Sequence, residues 1–153
     1  MDAILLRNPF LGFMFKDGTP CYKLTALTKG SRFELVISHT KDGEERDLDR
    51  FNLPLQALTW IYESIADGFW RSPEQGGFAK GVYHCEQEFD GEKIRINRMM
   101  NVGAPDQKGF MITNLSKMDP DLEMPMEIQI PDVMLIEGGL LEVFRNAQEG
   151  VAN

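Results

Sequence analysis

The stretch FNLPLQAL, residues 51–58, decides the fold, because it runs from an alternating apolar strand through a proline into a helical pattern. Part of it returns as IQIP, residues 128–131, at a shift of 77 residues. Similarity at a fixed period indicates an internal repeat. The matched pairs at this shift are Phe33 with Phe110, Leu35 with Ile112, Phe51 with Ile128, Leu53 with Ile130 and Pro54 with Pro131. The sequence therefore predicts two related halves.

Two apolar stripes follow the prolines and predict one amphipathic helix in each half. Steps of three and four residues place such a stripe along one side of a helix. The first stripe is Leu55, Leu58, Tyr62, Ile65 and Phe69, and the second is Val133, Ile136, Leu140, Val143 and Ala147. The pair Gly138-Gly139 interrupts the second stripe, and each glycine costs on the order of 1 kcal/mol relative to alanine in a helix. We expect a bend or a late start there. The residues expected to be buried are Leu35, Leu53, Leu58, Ile112, Ile130 and Ile136.

Short alternating stretches separated by Asp-Gly pairs predict antiparallel hairpins before each helix. The predicted strands cover residues 11–16, 20–28, 32–39 and 45–53 in the first half, and 80–89, 92–101, 108–115 and 126–130 in the second. The expected fold class is α+β, with two tandem ββββα repeats. These repeats occupy residues 1–70 and 78–153, are joined by a linker at 71–77 and pack as one domain.

The composition is that of an ordinary globular protein, with 42% hydrophobic and 26% charged residues. The net charge is −8, but residues 118–153 hold one basic and eight acidic side chains, so the rest of the chain is nearly neutral. No secretory signal pattern or membrane-spanning apolar run occurs, and Cys21 and Cys85 fit reduced thiols. We expect a soluble intracellular protein without a membrane partner. Nucleus, cytoplasm and organelle stay open as its compartment.

The order of elements resembles that of the PUR-repeat proteins and, more loosely, the Whirly proteins and the positive-cofactor type of transcriptional coactivator. The strand-proline-helix stretch 51–61 looks like the junction in these families, and Lys108-Gly109-Phe110-Met111-Ile112 looks like their glycine-aromatic strand start. The resemblance implies an intramolecular pseudo-dimer that binds single-stranded DNA or RNA on its sheets and serves transcription regulation. The chain departs from these families in carrying fewer basic residues and an acidic loop at 119–123.

Basic residues in and near the predicted strands form a candidate nucleic-acid interface. Alternation puts Lys93 and Arg95 on the face opposite Ile94 and Ile96, with Arg98 just beyond. Cations follow phosphates, and an aromatic ring stacks on an unpaired base. The expected phosphate contacts are Lys23, Lys29, Arg32, Lys93, Arg95, Arg98 and Lys108, and the expected stacking residue is Tyr83.

Catalysis finds little support in the sequence. His39 and His84 lack the spaced partners of a metal site, and no phosphate-binding glycine motif or nucleophile elbow occurs. We expect no catalytic residue, no metal site and no cofactor.

Two other interpretations of the same residues stay open. The charges fit an ordinary solvated sheet face, and the fold fits a protein-interaction or dimerisation module with a second copy or another protein as partner. Basic side chains gathered on one sheet face would favour nucleic acid, whereas scattered ones would favour the protein module.

Overall fold

The computed structural model describes residues 2–4, 15–16, 19–20, 22–41, 43–102, 105–119 and 123–151. The protein is α+β with two antiparallel sheets, which confirms the fold class at this level. Helical segments follow each sheet in the chain. Among the described helices, none has the length and apolar character needed to cross a bilayer.

The first sheet is built on three long strands, β4 (Tyr22–Lys29), β5 (Arg32–Lys41) and β6 (Glu44–Pro54). A three-residue strand, β1 (Asp2–Ile4), pairs along the free side of β4, so that the order is β1-β4-β5-β6. On the core face the strands present buried apolar residues such as Phe33 and Leu35, but Glu34, Val36 and Ser38 on the opposite face of β5 are also buried, so the middle of this sheet is covered on both faces.

The predicted strand at 11–16 is not a strand of the first sheet. Its described residues, Phe15–Lys16, form β2, which pairs with β3 (Thr19–Pro20) in a separate two-stranded ribbon. Residues 11–14 lie outside the described part of the chain. The Asp-Gly pair at 17–18 thus indicated the ribbon, whereas β1 pairs with β4 across a long separation that no local turn signal reveals.

The second sheet is a meander of β7 (His84–Phe89), β8 (Glu92–Met99), β9 (Gly109–Asp119) and β10 (Met124–Pro131). Asp90 and Gly91 form the turn between β7 and β8 with φ values of 51° and 79°. The prediction that the first of these strands begins at residue 80 is wrong by four residues. Gly81 has a φ of 92°, a left-handed conformation that is incompatible with a strand.

The pairing register of the last two strands is the same in both sheets. Phe33 pairs with Leu53 and Leu35 with Phe51 in the first sheet, whereas Phe110 pairs with Ile130 and Ile112 with Ile128 in the second. All of these residues are at most 3% exposed. The positions that match at a shift of 77 in the sequence are therefore the buried cross-strand pairs that hold each sheet together.

The helices differ between the halves. In the first, α1 (Ala57–Glu63) continues directly as a π-helical segment, Ser64–Phe69. In the second, a short α2 (Asp132–Ile136) is separated from α3 (Leu140–Val151) by the glycine pair, and Gly139 adopts a φ of 86°. The Gly138-Gly139 interruption predicted from the sequence is thus a complete break.

This break makes one of the burial predictions wrong. Ile136 is 57% exposed and Val133 is 39% exposed, although both belong to the predicted apolar stripe. The short α2 instead turns Met134 and Leu135 into the core. The chain starts a new helix after the glycines. The residues that α2 turns toward the core therefore need not follow the three-and-four spacing of the residues that α3 buries. The other five residues predicted to be buried are buried: Leu35, Leu53, Leu58, Ile112 and Ile130.

The two halves share one hydrophobic core. Phe144 of α3 packs edge to face on Phe33 of the first sheet, with ring centroids 6.0 Å apart. Reciprocally, Phe69 and Trp70 at the end of the first-half helix pack on Phe110 of the second sheet at 5.4 and 6.0 Å. The terminal part of each half's helix therefore covers the sheet of the other half, and α1 contacts α3 between them.

Candidate functional site

The first outer face is the side of the first sheet opposite Phe33 and Leu35, and it presents Lys29, Glu34 and Arg50. The strand ladder places Glu34 and Arg50 on this side, because Glu34 alternates with Phe33 and Leu35 and Arg50 pairs with Val36. Lys29 Nζ lies 3.6 Å from Glu34 Oε1, and Arg50 Nη1 lies 2.7 Å from the same oxygen.

The three side chains differ in their exposure to solvent. The Glu34 side chain is 11% exposed, whereas those of Lys29 and Arg50 are 43% and 48% exposed. One buried carboxylate therefore holds two cations that reach the solvent. The strand ladder also puts acidic residues on this face, because Asp47 pairs with Ser38, the residue that pairs with Lys23.

Two predicted residues belong to this part of the molecule. Lys29 is one of the two surface cations. Lys23 pairs with Ser38 in the ladder, at a position of the first outer face, and its side chain lies outside the described structure. Arg50 was missed by the sequence analysis. Its alternation with the apolar Phe51 and Leu53 was a signal for the outer face, and the acidic residues around it in the sequence obscured that signal.

The second outer face is the corresponding side of the second sheet, and it contains Lys93 and Arg95. Arg95 Nε and Nη2 lie 2.8 and 2.6 Å from Glu86 Oε1, and Lys93 Nζ lies 3.9 Å from Glu86 Oε2. The hydrogen bond from Arg95 lowers the pKa of Glu86, with further help from the nearby positive charges. With Glu88 and Glu127 also at positions of this face, its described side chains are not basic overall.

Arg98 lies on the opposite, core side of the second sheet. Its guanidinium bonds both carboxylate oxygens of Asp132, at 2.7 and 2.9 Å, and also donates to the carbonyl of Gly109 at 3.1 Å. The carbon of the guanidinium stands 4.6 Å above the Phe110 ring centroid, and the side chain is 15% exposed. Arg98 thus ties the start of α2 to the end of the sheet. Arg98 follows Ile94 and Ile96 at every second position of the strand, and this spacing was the sequence signal for its place on the core side.

Arg32 lies between the two halves. It donates to Asn52 Oδ1 from Nε at 2.8 Å and pairs with both carboxylate oxygens of Glu92. Asn114 donates to the carbonyl of Asn52 and to Glu92, at 2.9 and 3.0 Å. Burial alone would raise the pKa of Glu92, but the hydrogen bonds from Arg32 and Asn114 outweigh it and hold that pKa below its usual range. Arg32 is therefore occupied in a polar contact between the halves.

Tyr83 and Lys108 lie at one end of the second sheet. Tyr83 is 60% exposed, and its carbonyl accepts the N–H of Arg98 at 2.7 Å, which extends the pairing of β7 with β8 by one residue. Lys108 is exposed, and its carbonyl accepts the N–H of Asp132 at 2.9 Å. Neither residue is near the Lys29 and Arg50 pair in the strand order, so the predicted residues divide among several locations.

The Cys85 thiol lies half-buried on β7. Burial raises the pKa of the Cys85 thiol, a hydrogen bond with Ser64 opposes this and the charge of Glu86 adds to it, so the thiol is protonated and weakly nucleophilic at neutral pH. Within the described ranges, no three His, Cys, Asp or Glu side chains converge in a manner suited to a metal ion.

Comparisons with known proteins do not assign the chain to a family. No protein-family model matches its sequence, and a search of curated proteins finds no match.

Proposed function

We propose that this protein binds single-stranded DNA or RNA, without catalytic chemistry, through the first outer face. The observation that carries the proposal is the pair of solvent-exposed cations, Lys29 and Arg50, held over the buried carboxylate of Glu34. Phosphate affinity depends on such cations, because each neutralised phosphate releases condensed counterions. Lys23, placed on the same face by the strand register, is assigned to the same interface.

The proposal includes the finer architecture, a pseudo-dimer of two tandem ββββα repeats similar to PUR-repeat and Whirly proteins. It is supported by the equal registers of the last strand pairs and by the exchange of helices between the halves. In such an arrangement the helices occupy the core faces. Because Glu34, Val36 and Ser38 at the middle of the first outer face are buried, the ligand is assigned to the exposed ends of Lys29 and Arg50.

The predicted interface residues take different parts in this proposal. Lys29 and Lys23 contact phosphates together with Arg50. Lys93, Arg95, Tyr83 and Lys108 are assigned to a separate, secondary set of contacts on the second sheet, where Glu86 offsets the charge of Lys93 and Arg95. Arg32 and Arg98 are assigned to structural contacts, because carboxylates hold both and their side chains are only 27% and 15% exposed.

The test is binding of a short fluorescein-labelled oligothymidylate and of the matching oligouridylate, followed by anisotropy at increasing salt. Affinity should fall linearly on a log-log plot, with a slope of about −0.7 for each phosphate contacted. The double variant Lys29→Gln with Arg50→Gln should bind more weakly and have a slope flatter by about 1.4. The matched control, Lys80→Gln with Arg145→Gln, removes the same charge from exposed positions elsewhere and should leave the slope unchanged.

A further variant separates lost contacts from lost stability. Glu34→Gln removes the carboxylate that neutralises the two cations and should tighten binding, an effect that misfolding does not produce. Failure of folded protein to bind either oligonucleotide at low salt, or an equal loss of affinity in the control variant, would contradict the proposal.

A second candidate function, a protein-interaction module on the same fold, is favoured by a different observation. Strand β7 lies at the edge of the second sheet, and its residues His84, Glu86, Gln87 and Glu88 are exposed. The scattering of the predicted cations also favours this candidate.

A further inference from the structure

We infer that β7 is a docking edge for an extended basic segment of another protein, which adds as a further strand to the second sheet. This inference rests on the second candidate function and concerns a different part of the molecule from the first outer face. Strand addition of this kind takes its affinity from main-chain hydrogen bonds and its specificity from alternate side chains.

The backbone of β7 has groups that point away from the sheet. The N–H of Arg98 donates to the carbonyl of Tyr83, and in an antiparallel ladder the bonding residues alternate. Residues 85, 87 and 89 therefore bond toward β8, whereas His84, Glu86 and Glu88 direct their N–H and C=O groups outward. Within the described part of the chain, no backbone group bonds to these outward groups.

The other edge of the same sheet is protected. Strand β10 contains Pro125 and Pro131, which lack the N–H needed for pairing, and it lies against β6 of the first sheet. Strand β7 contains no proline, has a regular ladder to β8 and adjoins the exposed apolar residues Val82 and Tyr83. Natural proteins usually protect an exposed strand edge, and the acidic side chains of β7 oppose indiscriminate pairing while leaving the edge open to a segment of opposite charge.

The charges on β7 select the partner. Glu86 and Glu88 lie on the same face of the strand at alternate positions, and both are exposed. Arg95 and Lys93 already contact Glu86, whereas no described cation lies within ion-pair distance of Glu88, so Glu88 is the carboxylate that a partner would meet. A strand that pairs with β7 places its own alternate side chains opposite these carboxylates, where opposite charges stabilise and like charges destabilise the pairing. A segment with Lys or Arg opposite Glu88 therefore fits this edge.

A second copy of the chain fits the edge poorly. Antiparallel pairing of two β7 strands centred on Glu86 or Gln87 would bring carboxylates face to face. Each copy also carries a net charge of −8. The expected occupant is thus a basic extended segment of a different protein, with apolar residues between its basic ones to meet the side of the strand that carries Cys85.

The experiment uses the whole protein and a fluorescein-labelled peptide of alternating lysine and valine, with an alternating glutamate and valine peptide as the comparison. The lysine peptide should bind and the glutamate peptide should not. Hydrogen exchange of the amides of His84, Glu86 and Glu88 in the unmodified protein should slow when the lysine peptide is present, because these N–H groups become bonded. Exchange in β10 should not change.

Three variants separate strand pairing from general attraction to an acidic protein. Glu88→Gln should weaken the lysine peptide several-fold, whereas Glu74→Gln, an equal charge change at an exposed position in the linker, should not. His84→Pro removes one outward N–H without removing a carboxylate and should also weaken binding.

The inference is wrong if the lysine peptide fails to bind, if the two glutamate variants behave alike, or if the outward amides gain no protection. Self-association of the protein that His84→Pro abolishes would identify a second copy as the occupant and would also contradict it. None of these results bears on oligonucleotide binding, so failure here is distinguishable from failure of the nucleic-acid proposal.

Discussion

Phe33 and Phe144 come from opposite halves of the chain, and their rings meet edge to face with centroids 6.0 Å apart. The counterpart of Phe33 at a shift of 77 is Phe110, which is covered by Phe69 and Trp70 of the first-half helix. The duplication in the sequence is thus accompanied by an exchange of helices in space. Phe33 and Phe110, the matched aromatic residues of the two sheets, are each packed against an aromatic residue from the other half.

This exchange predicts that the halves unfold together. Phe144→Ala removes a fully buried ring from α3, and large-to-small changes of this type cost about 3–5 kcal/mol. The loss should appear in one cooperative transition, detected equally by Trp fluorescence and by far-UV circular dichroism during urea unfolding. Two separate transitions, with the first half unaffected, would show that the halves are independent.

The exposure of Ile136 predicts an asymmetry between two neighbouring apolar residues. Leu135 is 1% exposed and Ile136 is 57% exposed. Leu135→Ala should therefore lower the free energy of unfolding by about 2–5 kcal/mol, and Ile136→Ala should lower it by less than about 0.5 kcal/mol. Chemical denaturation of both variants measures this difference. Equal losses of stability would contradict the exposure of Ile136 and favour the continuous apolar stripe predicted from the sequence.

The contact of Arg98 with Asp132 predicts a loss of stability without a loss of ligand affinity. Arg98→Ala leaves the Asp132 carboxylate without its bidentate partner, which should cost about 1–3 kcal/mol. Arg145→Ala on the exposed surface of α3 is the control and should be nearly neutral. Oligonucleotide affinity, measured where the variant is folded, should stay at the level of the unmodified protein. A stable Arg98→Ala protein with weakened binding would instead support the phosphate contact predicted from the sequence.

The pKa of Glu92 predicts how stability depends on pH. Its folded pKa lies below the ordinary glutamate value of about 4.3, so the unfolded chain takes up a proton first as the pH falls. The ion pair therefore contributes its stability above that value and loses it as the pH falls through the lower folded pKa. Glu92→Gln should flatten the acid side of the stability curve, whereas Glu74→Gln should not. An unchanged acid slope in Glu92→Gln would show that the pair does not stabilise the fold.

The local features of this fold were predictable, because they depend on nearby residues. Alternation, the prolines after the last strands and the Asp-Gly turn at 90–91 indicated the hairpins and the helices that follow them. The exchange of helices was not predictable, since an apolar stripe specifies that a helix face is buried and not which sheet buries it. The same applies to Arg32, whose partner Glu92 lies 60 residues away in the sequence.

The candidate interface was predicted in part. Lys29 lies on the first outer face as an exposed cation. Arg50 was missed because its acidic neighbours in the sequence obscured its charge. In the sequence Arg50 follows Asp47 and Asp49, whereas the ladder brings it to Glu34, 16 residues away, so this partner could not be found from neighbouring residues. The alternation of side chains along a strand was a more useful guide than the charge of neighbouring residues. It would have placed both Arg50 and Arg98 on their observed sides.

The most direct test of the central claim is an amide NMR titration of the isotope-labelled protein with an unlabelled single-stranded oligonucleotide. The account predicts that the largest shift changes occur in β4 to β6 around Lys29 and Arg50, and that added salt reverses them. Changes confined to β7, or to the ends of the helices, would contradict the first outer face as the binding surface. An absence of any change at low salt would contradict nucleic-acid binding itself.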